Sequence, residues 1–205
     1  MKLRVFAWLL ISCLAAPADA LGARERLPRS DFRWRGSYMP PRASQFNLRK
    51  SRKASFEVRV GDDAQLITKK SGETLQHVLV KALIWALYHE DYPGIEIERD
   101  IGDEKLPDCV ALAGQEPLFW GESGRMSSAK AVDIATRFPA THFVNVRWAV
   151  DLDDFTTPLL RALRAADVTR SAPFEFAVVT KNPLDFVDES GHIRISREDL
   201  IWTRL

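Results

Sequence analysis

Leu106-Pro107-Asp108-Cys109-Val110-Ala111-Leu112, and beyond it Leu118-Phe119-Trp120-Gly121-Glu122-Ser123, is the stretch on which the reading of this chain turns. Both runs are apolar and short, and Ala113-Gly114-Gln115-Glu116-Pro117 separates them, so the pattern predicts a β-hairpin with a five-residue connection. Side chains alternate along a strand. Asp108, Val110 and Leu112 therefore share one face, as do Leu118, Trp120 and Glu122. A register that matches those faces makes the Asp108 and Glu122 carboxylates converge. Two carboxylates held close repel each other unless a cation lies between them. Hard oxygen ligands of this kind suit Mg²⁺ or Mn²⁺, which keep positions open for a phosphate oxygen and a water. A nearby ammonium would stabilise charge developing on phosphorus, and Lys130, eight residues past Glu122, is the candidate.

Working outward, Phe56–Val60 and Ala64–Thr68 alternate in polarity around Gly61-Asp62-Asp63 and predict two strands. Ser71-Gly72-Glu73-Thr74 opens a helix whose apolar positions Leu75, Val78, Leu79, Ala82, Leu83 and Ala86 recur at helical spacing up to about Tyr88. Tyr92-Pro93-Gly94 stops it, and Ile95–Glu98 reads as a short strand. After the hairpin come a helix from Ser127 to Phe138, capped by Ser127 or Ser128, and a strand from Thr141 to Val150. A helix from Asp153 to Ala166 follows, then a buried strand at Phe174–Thr180 and a short strand at His192–Ile195. The expected fold class is α/β, a mixed central sheet flanked by helices, with no internal repeat.

Leu106-Pro107-Asp108 followed by Trp120-Gly121-Glu122-Ser123-Gly124 resembles the Pro-Asp … Glu-x-Lys signature of the restriction endonuclease-like, or PD-(D/E)XK, superfamily. Within it the chain is similar to YaeQ-like proteins, in which Glu-x-Gly replaces Glu-x-Lys and the next helix supplies the lysine. The helix from Gly72-Glu73-Thr74-Leu75 to Leu83-Ile84-Trp85-Ala86-Leu87 resembles that family's first helix. The resemblance spans roughly residues 55–180. It implies a restriction endonuclease-like fold, metal binding by Asp108 and Glu122, assistance from Lys130, and Glu73 as an auxiliary acid. It also implies divalent-metal-dependent hydrolysis of phosphodiester bonds in DNA or RNA. Gly124 stands where a standard member of the superfamily carries its lysine. That departure leaves room for the other outcome, a nuclease-fold binding module with weak or absent catalysis.

Each residue has a plainer role to weigh. An Asp after Pro is commonly a turn residue, Glu73 suits the start of a helix dipole, and Lys130 suits a solvated surface. Trp120 and Trp148 fit the core better than a base-stacking platform. Gly121-Glu122-Ser123-Gly124 misses the nucleophile elbow of serine esterases, because Arg125 fills its last glycine position. His192, with Asp185 or Asp188, offers a triad with nothing to assemble it. The four histidines, 77, 89, 142 and 192, show no metal-ligand spacing.

Across its 205 residues the chain is 46% apolar, 28% charged and close to neutral at +1, a composition suited to one core-bearing domain. The charge is uneven. Ten basic residues fall between Arg24 and Lys53 against only Glu25 and Asp31, a stretch that could touch nucleic acid but reads first as a solvated arm. Lys2 and Arg4, the apolar run Val5–Ala16 and Ala18-Asp19-Ala20 resemble an export signal, too short for a stable membrane span. Met39 opens a competing start, which the family resemblance favours and which would keep the protein in the cytoplasm. The expected organisation is therefore a signal-like or mis-started leader over 1–38, a basic arm over 39–54 and the α/β domain over 55–205. Of the two cysteines, Cys13 lies in the leader and Cys109 reads as a buried strand residue, so neither a disulfide nor a zinc site is expected.

Overall fold

The computed structural model describes residues 54–205; the signal-like segment, Met39 and the basic arm up to Lys53 lie outside the described residues. Strands β1 (Ala54–Val60) and β2 (Asp63–Lys69) form an antiparallel hairpin turning at Gly61, whose φ of +56° suits a residue without Cβ. Helix α1 (Leu75–Tyr88) follows. Thr74 caps it, its hydroxyl accepting from the His77 amide at 3.2 Å, so Glu73 stands just outside the helix. Next come β3 (Glu96–Ile97), β4 (Cys109–Ala113), β5 (Glu116–Ser123) and α2 (Ser128–Arg137), which Ser127 caps at the Lys130 amide. Strand β6 (His142–Trp148), α3 (Leu152–Ala165), β7 (Phe174–Val179) and β8 (Leu200–Arg204) complete the order.

Strands β3 to β8 make one six-stranded mixed sheet in sequence order. The β5–β6 and β6–β7 pairs are parallel; the outer pairs are antiparallel. Helices cover the parallel centre on both faces, which is why β7 is buried at every one of its positions. On one face α1 and the β1–β2 hairpin pack Val58, Ile67, Leu79, Leu83, Ile84 and Trp85 against Phe119, Val144 and Ala177. On the other, Ile134 of α2 and Phe155, Leu159 and Leu163 of α3 meet Trp120, Phe143, Phe174 and Phe176. Gly121 governs how closely α1 approaches β5: a Cβ there would lie 2.7 Å from Ile84 Cγ2. No helix among the described residues is long and apolar enough to cross a membrane.

Two expectations are corrected. The hairpin connection is Gly114-Gln115 rather than five residues, because the register shift between Ala111 and Leu112 lets Leu112 pair with Pro117 and Ala113 with Glu116. The last strand is β8, not His192–Ile195. That segment makes only single bridges, Arg59 with His192 and Val187 with Ile193. Gly191 explains its path: at φ +87° it passes so close to β1 that a Cβ would lie 2.5 Å from the Glu57 carbonyl oxygen.

Candidate functional site

The β4–β5 register sets Cys109 opposite Gly121, so Asp108, one residue earlier, stands opposite Glu122. That is the alignment expected from the sequence. The Asp108 amide also donates to the Gly121 carbonyl at 3.0 Å, although β4 begins only at Cys109. The two carboxylates nevertheless take different partners, on the two sides of the sheet.

Glu122 shares the face of Trp120, toward α2. Its Oε1 accepts from Trp120 Nε1 and its Oε2 from Lys130 Nζ, each at 2.7 Å. Lys130 reaches it because Ser127 starts α2 three residues earlier and sets the helix's first turn beside the end of β5. Burial pushes the Glu122 carboxyl above the ordinary range; Lys130 and Trp120 offset part of this, and the neighbouring Asp108 charge adds to it.

Asp108 turns toward α1. Its Oδ2 accepts from both the Ser123 amide and the Ser123 hydroxyl at 2.7 Å, and its Oδ1 lies 3.3 Å from Lys81 Nζ. The Ser123 oxygen is also 2.9 Å from His77 Nδ1. Once the hydroxyl proton goes to Asp108, that contact requires the tautomer with a proton on Nδ1. Lys81, with a side chain 3% exposed, is the centre of this half of the site. Its ammonium donates to Glu73 Oε1 at 2.7 Å and to Glu98 Oε1 at 2.5 Å, and forms an ion pair with Asp108. One ammonium thus serves three carboxylates, two by hydrogen bonds and one by charge. Burial alone would lower the Lys81 pKa, but Asp108, Glu73 and Glu98 outweigh it and hold the ammonium charged. Burial likewise opposes ionisation of Glu73, yet the Lys81 contact and the Lys70 amide leave its carboxyl below the ordinary range. Glu98 is depressed in the same way, against burial, by Lys70 and Lys81.

Of the four residues expected at the site, Glu122 and Lys130 form one pair, and Glu73 and Asp108 share Lys81. Among the described residues no side chain joins the two halves. Lys81 and Glu98 were not expected. A lysine inside the run Val78-Leu79-Val80-Lys81-Ala82-Leu83-Ile84-Trp85 was the available signal, since a lysine in so apolar a stretch is buried only when paired. Glu98 gave no signal at that distance in sequence. Gly124 lies beyond β5 at φ +78°, and a Cβ there would point to His77 Nδ1 at 3.3 Å rather than share the Glu122 face. Its carbonyl and that of Glu122 both accept from Asn145 Nδ2, at 3.1 and 3.0 Å, while the fully buried Asn145 Oδ1 has no donor.

The carboxylate oxygens are the right chemistry for Mg²⁺ or Mn²⁺, but their arrangement is not. An ammonium already lies against each of them, Lys81 against Glu73, Glu98 and Asp108 and Lys130 against Glu122. Among the described residues no three His, Cys, Asp or Glu side chains are grouped to hold a metal ion. The residues as placed do not fit a divalent cation.

Two other polar clusters stand apart. Glu175 on β7 is buried among Tyr88, His142, Arg204 and Arg197, with Tyr88 Oη at 2.7 Å and His142 Nε2 at 2.9 Å. In the tail Asp188, Ser190 and His192 do come together, through a turn in which Asp188 accepts from the Ser190 and His192 amides. The Ser190 hydroxyl donates to Asp188 and touches His192 Nδ1, so the histidine is not positioned between acid and serine as a triad requires. Cys109 is fully buried, and burial raises its thiol pKa well above the ordinary value.

No family model and no curated protein matches the chain. Among solved structures, YaeQ protein from Xanthomonas axonopodis pv. citri is similar with 13% identity and a TM-score of 0.49, covering 71% of this chain and 84% of that one. YaeQ protein from Pseudomonas syringae is similar with 14% identity and a TM-score of 0.46, covering 62% and 72%. Likeness at this level carries no argument about activity.

Proposed function

We propose that this chain binds the phosphodiester backbone of nucleic acid on a restriction endonuclease-like scaffold of the YaeQ kind, with metal-dependent cleavage weak or absent. The supporting observation is that Lys81 closes the Asp108–Glu73 half of the site and Lys130 the Glu122 half. An ammonium can neutralise a neighbouring phosphate, but it cannot ionise a bound water as a divalent cation does. The test is anisotropy of labelled DNA and RNA oligonucleotides with the full chain, in EDTA and in Mg²⁺ or Mn²⁺, beside a cleavage assay and a Mn²⁺ titration. Expected are binding that survives EDTA and falls with salt, no cleavage and no Mn²⁺ heat. Absence of any nucleic-acid binding would refute the reading.

A second reading, divalent-metal-dependent phosphodiester hydrolysis, is favoured by the 2.7 Å contact between Glu122 and Lys130, the acid and the substitute lysine that the motif pairs. It predicts cleavage with Mg²⁺ or Mn²⁺ that disappears in both Asp108→Ala and Glu122→Ala. That result would replace the first reading.

A further inference from the structure

At the ends of β5 and β6 two arginines stand within one residue of each other in register, and neither has an acidic partner among the described residues. Gly124 continues β5 by donating to the Val146 carbonyl at 2.9 Å, which stands it opposite Arg147, with Arg125 the next residue along. Arg147 follows Asn145 on its face of β6, and its guanidinium lies over the Phe155 ring at 5.2 Å. That packing holds the guanidinium itself, while its N–H donors take no partner among the described residues. Neither arginine forms a hydrogen bond or ion pair with any described residue, whereas Arg137, Arg170, Arg197 and Arg204 each do. The carboxylate standing opposite Asn145, that of Glu122, is committed to Lys130. Asp151, Asp153 and Asp154 open α3 shortly after β6, and none is within ion-pair distance of either guanidinium. Burial, and secondarily the nearby Arg125 charge, lower the Arg147 pKa.

Uncompensated like charge is costly unless an anion shares it, and a guanidinium fork matches two phosphate oxygens at once. We propose that Arg125 and Arg147 form the seat for a phosphate group of the bound strand, at the ends of β5 and β6 beside Glu122 and Lys130. The proposal rests on the nucleic-acid reading above and adds the residues that carry it. The bland alternative is a solvated Arg125 and an Arg147 held only by Phe155.

The experiment measures salt-dependent binding of a labelled single-stranded oligonucleotide to the full chain, the Arg125→Ala and Arg147→Gln variants, and their double. Arg164→Ala, exposed in the last turn of α3, is the control. Melting curves confirm that each variant folds. Each site variant should bind several-fold more weakly on every sequence, and the slope of log affinity against log salt should shrink by about 0.7 for every phosphate the variant no longer neutralises. Arg164→Ala should leave both unchanged. Site variants that bind like the wild type, with an unaltered slope, overturn the seat and leave the nucleic-acid reading standing. If the wild type binds no oligonucleotide, that reading falls, and a titration with inorganic pyrophosphate decides the seat. Pyrophosphate binding that the double variant loses keeps it; no binding, or binding the double variant retains, ends it.

Discussion

Lys81 Nζ lies 3.3 Å from Asp108 Oδ1, so the cation facing the first acid of the motif comes from α1 and not from the helix after the hairpin. Removing it leaves Glu73 and Asp108 without their ammonium and Glu98 with Lys70 alone. Breaking a buried ion network from one side costs about 3–5 kcal/mol. Lys81→Met should be destabilised by that order at pH 7 in urea unfolding. The deficit should shrink toward pH 4, where protonation relieves the carboxylates. A loss below about 1 kcal/mol would mean that solvent already screens the cluster.

Glu122 gives the opposite pH signature. Its folded carboxyl titrates above the ordinary value of 4.5, so the folded state holds the proton more tightly than the unfolded chain does. Its contribution to stability is present below 4.5 and is lost as pH rises through the raised value. Glu122→Gln should lack that decline, and Lys130→Met, which removes the offsetting ammonium, should steepen it. Urea midpoints between pH 4 and 8 read both. A steeper decline in Glu122→Gln than in the wild type would contradict the assignment.

Gly124→Lys restores the motif lysine in sequence but not in space. At φ +78° any L side chain is strained, at about 1–2 kcal/mol, and the new Cβ meets His77 rather than Glu122. The variant should melt lower than the wild type and show no gain in cleavage with Mn²⁺. Cleavage appearing on this substitution would show that the backbone after β5 relaxes to an extended strand that brings the new lysine to Glu122.

Glu175 governs acid sensitivity. Burial would raise its carboxyl, but His142, Tyr88 and Arg204 outweigh it and hold it at about 2 against an ordinary 4.5. The stability this supplies is complete above 4.5 and is lost as pH falls from there toward 2. The gap between wild type and Glu175→Gln should therefore be widest at neutral pH and close across that acidic window. A gap that stays constant down to the lowest pH would show that Glu175 acts by shape alone.

Much of the fold was legible because local patterns carried it. The spacing from Leu75 to Ala86 marked α1, Ser127 and the acidic start at Asp153 placed α2 and α3 within a residue or two, and the run at Phe174 marked β7. Strand β8 was missed because Leu200-Ile201-Trp202-Thr203-Arg204 is short and half exposed at the sheet edge, so its partner β7 and not its composition makes it a strand. The Glu122–Lys130 pair was readable from eight residues of local sequence. The Lys81 cluster was not, since Glu73, Glu98 and Asp108 meet only after α1 docks across the hairpin. The change in Asp108's direction has the same origin. The pleat says which face a residue takes, but a side chain at the strand's mouth can turn to whichever neighbour holds it better, and Ser123 offered two donors and Lys81 a charge.

Cys109 sits beneath that docking, fully buried, its Sγ donating to the Lys81 carbonyl at 3.3 Å. Among the described residues it is the one cysteine. A thiol reagent can reach it only after the helix lifts from the sheet, so its rate of alkylation is a clock for that undocking. The protein thus carries, in an otherwise inert side chain, its own reporter of how often the floor of the site breathes open.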